Sequence, residues 1–402
     1  LIFQTLDDKK ECIGVYAEGK LNTGNIPNNL TETWSYSSFL KGKDIEYAKL
    51  YCEGKNIADI CPENLKEEYD KVVKKLHSFN NSFKEAKIDL SENCFFDLTP
   101  KKFLIDYCEV KNKITKHVLE TYKKPVEYDF YRRFNEIIVD IEERELNVDF
   151  EQMKKNIAKD KDLVHYRRLL NVDDKVSYNL FGSITGRLST NKNSFPILNF
   201  PKSFRNVIKP QNDWFVAFDM NAAELRTSLA LVEKDQPEED LYETISREIY
   251  EDKHTRKEVK EATTAWLYNS NNELATKYAD KLDEMFWKET LINTHWDGKY
   301  VYTPFNRKIE SDKFHAISYL NQSTFIDLWH RQTIKVDDYL SDKKSFIAFL
   351  LHDELVLDIT DDERGDLPEI IKLIQDTQFG KFLVNVKAGK DYGNMKKLKI
   401  KV

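Results

Sequence analysis

Three stretches hold residue types that could handle a phosphoryl group. In the first, 214–226, a strand-like apolar run ends at Asp219, and a helix-favouring stretch, 222–231, follows with Glu224 and Arg226. A carboxylate at the end of a buried strand is costly unless something pairs with it, and a divalent cation is one such partner. A helix N-cap is the other reading of the same residue. In the second, 346–359, two hydrophobic runs flank His352-Asp353-Glu354, which reads as a β-hairpin with a three-residue polar tip. Adjacent acids on a tight turn repel each other and suit a nearby cation; a solvated turn is the alternative. In the third, Arg256, Lys260, Thr264 and Tyr268 recur every fourth residue. On an α-helix they form one stripe roughly 18 Å long, at about 1.5 Å per residue. Its cations suit phosphates and its aromatic end suits a base, although an exposed helix face has the same spacing.

Elements upstream must carry this chemistry. Residues 128–146 have helical periodicity through Phe130, Phe134, Ile137, Ile138 and Ile141. The 147–149 stretch offers a break and a cap for a second helix at 150–170. From 177 onward the texture changes to short strands, turns and helices. Residues 1–115 read as a separate unit, with a turn-rich stretch at 21–29 and an amphipathic helix at 62–78. That unit holds all five cysteines, Cys12, Cys52, Cys61, Cys94 and Cys108. No CxxC pair occurs, which argues against zinc, and the odd count reads as reduced thiols.

The 402 residues suffice for two or three domains. A charged fraction of 33% and only 12 glycines and 10 prolines argue against a disordered chain. The net charge of −7 excludes a uniformly basic nucleic-acid glue, not a groove lined locally by Lys and Arg. The longest wholly apolar run, Phe346–Leu351, is far short of the ~20 residues that span a bilayer. With no basic-then-apolar leader pattern, the expectation is an intracellular, cytoplasmic protein without membrane partners.

Together, and in this order, the three stretches resemble the motifs of DNA polymerase I (family A) enzymes. Asp219 with Glu224-Leu-Arg226 resembles the first motif, Arg256, Lys260 and Tyr268 the fingers helix, and His352-Asp353-Glu354 the third motif. Thr185-Gly-Arg187-Leu-Ser189 and Leu198-Asn199 look like the segment that contacts primer–template. The 300–308 stretch with Arg307 resembles the loop after the fingers. Ala316-Ile317 and Gln322 resemble the helix whose glutamine touches the minor groove, and 386–395 fits the family's C-terminus. The resemblance covers roughly 178 to the end, and more weakly 128–149. It implies an α+β right-hand polymerase with an antiparallel palm sheet, helical fingers, a short helical thumb and a separate N-terminal domain. The implied division is 1–115 for the N-terminal domain, 116–176 for the thumb, 177–232 and 311–402 for the palm, and 233–310 for the fingers. The compact, Lys- and Asn-rich chain is reminiscent of bacteriophage enzymes, whose setting would be the host cytoplasm.

By the same resemblance the activity is addition of dNTPs to a primer 3′ end, in DNA replication, with two Mg²⁺ ions. Asp219, Asp353 and the Met220 carbonyl would hold metal. Arg256 and Lys260 would neutralise phosphate, Lys260 doubling as proton donor. Tyr268 would stack near the templating position and Glu224 would exclude a 2′-hydroxyl. Thr264 lies along the nucleotide. Arg187, Asn199, Gln322, His352 and Arg307 would hold the primer–template. A monomer is expected, with a replisome or processivity partner to compensate for the short 149–177 stretch. No proofreading is expected, because Asp7-Asp8 lacks the Glu of an Asp-x-Glu pair. The sequence departs from the family where Thr264 replaces a bulky aromatic, Asn269 a glycine, Ala222 a polar residue and Tyr242 a histidine. A single-subunit RNA polymerase, or a non-catalytic DNA-binding replisome protein with a relic palm, are the competing readings.

Overall fold

A computed structural model describes residues 1–8, 11–24, 26–90, 92–159, 166–170, 172–192 and 194–400. Two compact units emerge, Leu1–Glu143 and Arg144–Val402. The expected boundary near residue 115 falls inside a helix, because Ile114 and Val118 are needed in the core of the first unit.

The first unit holds a three-stranded antiparallel sheet, β1 (Phe3–Asp8), β2 (Glu11–Ala17) and β3 (Lys20–Asn22). Its main helices are α1 (Glu63–Glu85), α2 (Lys101–Thr121) and α3 (Tyr128–Glu143). The expected helix at 62–78 is longer than the periodicity suggests. Its second half is held by aromatic pairs, Phe79 with Phe83 and with Phe103. Helix α3 buries Phe130, Phe134, Ile137, Ile138 and Ile141, the apolar stripe read from the sequence. All five cysteines are free thiols.

The second unit opens with a helix, Phe150–Lys159, capped by Asp149, whose Oδ1 accepts from the Gln152 amide at 2.8 Å. Of the rest of the expected 150–170 helix, 160–165 lie outside the described residues and 166–170 form a short 3₁₀ turn. The unit is organised on a five-stranded antiparallel sheet built from β4 (Trp214–Met220), β5 (Phe346–Leu351), β6 (Glu354–Ile359), β7 (Val384–Gly389) and β8 (Lys396–Leu398). Their order is β5-β6-β4-β7-β8. The middle strand β4 buries Phe215, Val216, Ala217 and Phe218 in succession, as a strand covered on both faces must.

Between β4 and β5 the chain is largely helical. Helices α4 (Ala223–Leu231), α5 (Leu241–Glu248) and α6 (Arg256–Leu267) lead to α7 (Lys313–Leu340), and α8 (Leu367–Gln375) follows the β5–β6 hairpin. Leu225, Leu241, Ile245, Val259, Trp266 and Leu320 share one core in this region. Helix α7 buries residues around most of its circumference because α4 and α8 both contact it. No helix among the described residues is long and apolar enough to cross a membrane.

Candidate active site

Strand register brings the acids together. On β4, Asp219 stands opposite Glu354 of β6 on one side and Asn385 of β7 on the other. The hairpin tip is two residues, His352 and Asp353, because Glu354 already pairs as the first residue of β6. Asp353 therefore emerges beside Asp219. Burial is the main cause that pushes the Asp219 carboxyl up to about 6, with the charges of Asp353 and Glu354 adding to it. Lys387 and a 3.4 Å hydrogen bond from Asn385 Nδ2 oppose the shift. Glu354 is also raised by burial, while the Tyr392 hydroxyl donates to its Oε1 at 3.0 Å.

Asp219 and Asp353 open on a cleft of about 220 Å³. Met220, Asp219, Asp353, His352, Glu224 and Arg187 line one side; Arg256, Lys260, Thr264 and Tyr268 line it from α6 and its C-cap. The every-fourth-residue stripe thus borders the cleft, with Arg256 and Lys260 exposed and Thr264 and Tyr268 half-buried. Helix α6 starts where it does because Thr255 and Glu258 form a reciprocal capping box.

Arg256 donates from Nε and Nη2 to Asp240 Oδ2 at 2.9 and 2.6 Å. The Tyr242 ring lies against both cations, its centroid 5.2 Å from the Arg256 guanidinium and 5.8 Å from the Lys260 ammonium. Its hydroxyl is hydrogen-bonded with Thr264, and burial pushes it up to about 12. Thr264, where the family resemblance leads one to expect a large ring, thus has a tyrosine from α5 beside it.

At the other end of the stripe the Tyr268 hydroxyl donates to Glu224 Oε2, and Arg187 Nη2 donates to Glu224 Oε1 at 2.7 Å. Burial pushes Glu224 up to about 7, against the pull of Arg187. Gln322 reaches the same cluster by donating to the Tyr268 hydroxyl at 3.1 Å. Burial, and then the Arg187 charge, hold His352 below its ordinary range. Asn199 and Arg307 do not line the cleft. Asn199 is exposed at the end of a short turn, Ile197–Asn199, and the Arg307 guanidinium is paired with Asp327.

Sequence reasoning missed the framework behind the cleft. Arg226 has no exposed surface. Its Nε and Nη2 donate to the Asn221 carbonyl and Oδ1 at 2.9 and 3.2 Å. Its Nη1 and Nη2 reach the carbonyls of Pro237 and Glu239 at 2.8 and 2.7 Å. Asn221 Oδ1 also accepts from the Leu241 amide at 2.9 Å, and its side chain hydrogen-bonds Asp240. The end of β4 is thereby tied to the start of α5, and through Asp240 to Arg256. Most of these acceptors are backbone carbonyls, which leave no mark on residue identity. Ala222 between Asn221 and α4 has a left-handed backbone, φ 49°, unusual for a residue with a Cβ.

Among the described residues no group of three or more His, Cys, Asp and Glu forms a metal cage. The donor chemistry still fits a divalent cation. Two carboxylates crowd together at the cost of a raised Asp219 pKa, and beside them stands the Met220 backbone. Hard oxygen donors few in number suit a site that shares its cation with substrate phosphates and water.

No family model matches the chain, and no curated protein matches it. Among solved structures it is similar to the POL domain of Pol1 from M. smegmatis, determined in complex with DNA primer-template and dNTP. That likeness has a TM-score of 0.59 at 14% identity and covers 72% of this chain and 75% of that one. At such identity the likeness is one of fold, and the fold is that of a polymerase domain.

Proposed function

We propose that the protein is a template-directed DNA polymerase that adds dNTPs to a primer 3′ end by two-metal phosphoryl transfer, in DNA replication and without proofreading. One observation carries the reading. Asp219 and Asp353, far apart in the chain, share a cleft with Arg256, Lys260 and Tyr268. Acids that repel one another, facing cations on a rigid helix, suit a polyphosphate. Phosphoryl transfer needs positioning and charge neutralisation more than covalent help from the protein. In this reading the five-stranded sheet is the palm and the helices from α5 to the start of α7 are the fingers.

Asp219, Asp353 and the Met220 carbonyl would hold Mg²⁺. The ions, when bound, supply Lewis-acid activation of the attacking hydroxyl and stabilisation of the leaving pyrophosphate. Arg256 and Lys260 bind the triphosphate, with the Tyr242 ring packed against both cations. Lys260 is placed to give a proton to pyrophosphate. Glu224, clamped by Arg187 and Tyr268, presents a wall where a 2′-hydroxyl would project. His352, Gln322, Arg187 and Asn199 are the proposed primer–template contacts, made to features that vary little with sequence, whereas Arg307, expected among them, is engaged by Asp327 instead.

Primer extension tests the reading. The wild-type chain should extend a primer with dNTPs and poorly with rNTPs. Asp219→Ala and Asp353→Ala should each abolish extension while primer–template binding survives. Equal use of rNTPs would favour the single-subunit RNA polymerase reading, and extension by both variants would remove the metal assignment. A mismatched primer end that is trimmed would remove the claim of no proofreading.

A further inference from the structure

Two polar residues of β7 reach the acids, and the proposed chemistry uses neither. Asn385 stands opposite Asp219 and donates to its Oδ2. Side chains alternate along a strand, so Lys387, two residues on, rises from the same face of the sheet. Its partners across the ladder are Ala217 on β4 and Lys397 on β8. Neither offers a counter-charge, and like charges directly opposite each other are destabilising. The nearest acid by register is Asp219, the diagonal neighbour on β4, at a separation of roughly 7–8 Å for such a pair. Glu354 follows, opposite Asp219 on β6.

The Lys387 side chain is half-buried, yet among the described residues it has no hydrogen bond or ion pair. Its charge still acts on the acids. It opposes the upward shift of Asp219 and that of Glu354. Lys397 beside it is exposed, as a side chain that meets a nucleic-acid backbone would be. Lys387 is withdrawn from that surface and turned to the carboxylates.

We infer that Lys387 is a built-in counter-ion to the acids around Asp219: it offsets their mutual repulsion and lowers their affinity for a divalent cation. The inference rests on the polymerase reading and adds a positioning residue to its metal site. The reason is a sum of charges. Asp219, Asp353 and Glu354 bring three carboxylates together, and one fixed ammonium cancels part of that field. The same ammonium repels a divalent ion with twice the energy it would spend on a monovalent one. It reaches the acids through the field alone, so it restrains the site without taking a carboxylate oxygen away from it.

The test titrates Mn²⁺ into the full chain at pH 7.5 without nucleotide and reads the free ion by electron paramagnetic resonance. Mn²⁺ favours the same carboxylate and carbonyl donors as Mg²⁺. Wild type should bind it at a site that Asp219→Ala removes. Lys387→Met should bind it about three- to tenfold more tightly at low salt, and the gain should shrink as salt is raised. Lys387→Arg should match wild type. Lys390→Met, which makes the same change in net charge beside Trp214 at the other end of β4, should match it too. In chelator Lys387→Met should melt below wild type, and that deficit should shrink in an Asp219→Asn background. Unchanged Mn²⁺ affinity in Lys387→Met would overturn the counter-ion, and weaker primer–template binding in the same variant would make the residue a strand contact. An equal gain in Lys390→Met would overturn it by marking a response to net charge alone. Primer extension by wild type keeps the polymerase reading standing in both cases. Mn²⁺ binding that survives Asp219→Ala would remove the metal assignment of that reading, and this inference with it.

Discussion

Arg307 and Asp327 form a two-point ion pair, Nε to Oδ2 at 2.6 Å and Nη2 to Oδ1 at 2.8 Å, with side chains only 14% and 2% exposed. Gly186 lies directly over it. A Cβ there would stand 2.6 to 3.0 Å from the guanidinium, and the backbone φ of +84° already favours glycine. The pair therefore holds down the segment that carries Arg187. Asp327→Ala leaves a buried guanidinium without its carboxylate and should cost about 3–5 kcal/mol. Gly186→Ala should also destabilise, by about 1–3 kcal/mol. Urea unfolding of both variants checks this, and Arg307→Met with Asp327→Leu together should recover much of the loss.

The crowded carboxylates predict a trade between stability and activity. In chelator, Asp219→Asn should melt at a higher temperature than wild type, because the change removes one of three facing negative charges. Added Mg²⁺ should raise the melting temperature of wild type and leave the variant nearly unmoved. Calorimetry with and without the metal reads both. A variant less stable than wild type in chelator would contradict the repulsion.

Asp358 predicts a pH dependence. Its carboxyl is buried at the far end of β6 and accepts from the Gln211 and Asn212 amides at 2.6 and 3.0 Å. Burial still pushes it up to about 6, above its ordinary 3.8. The folded state thus binds a proton more readily than the unfolded state. The resulting stabilisation is complete below about pH 4 and is lost as pH rises through about 6. Relative to Asp358→Asn, wild type should lose about 1–3 kcal/mol between pH 4 and pH 7.5. Denaturant titrations across that range give the difference, and parallel curves would contradict the shift.

Arg226 should be intolerant even of lysine. A single ammonium cannot reach Asn221, Pro237 and Glu239 together, and the carbonyls left behind are buried. Arg226→Lys should cost about 2–4 kcal/mol. It should also raise the KM for dNTP more than it lowers kcat, since Asp240 would no longer fix Arg256. Hydrogen exchange at 237–242 should rise in the variant while the sheet stays protected.

Much of the cleft was legible because its parts obey local periodicities. The four-residue spacing of Arg256, Lys260, Thr264 and Tyr268 needs only a helix to border one cleft, and the apolar runs around Asp219 and Asp353 need only a sheet to become neighbours. The Glu354 position was misjudged by one residue, as turn length depends on pairing that a lone strand does not reveal. Arg226 and Asn221 were not legible as a framework, since what they bind is mostly main chain. The boundary near 115 was placed just after the last cysteine, Cys108, but helix α2 runs on to Thr121, and its buried face from Phe103 to Val118 shows which core it serves.

The register of β4 against β6 also sets a timetable. Asp219 leaves the ribosome well over a hundred residues before Asp353 exists. Until β6 docks, β4 keeps an unpaired edge lined by Phe215, Val216 and Phe218, the kind of edge that recruits wrong partners. The helices from α4 to α7 are local and fast to form, whereas the sheet must wait for a long-range closure. The cleft should thus be the last part of this unit to mature, and slow synthesis or low temperature should yield chains that are helical yet inactive.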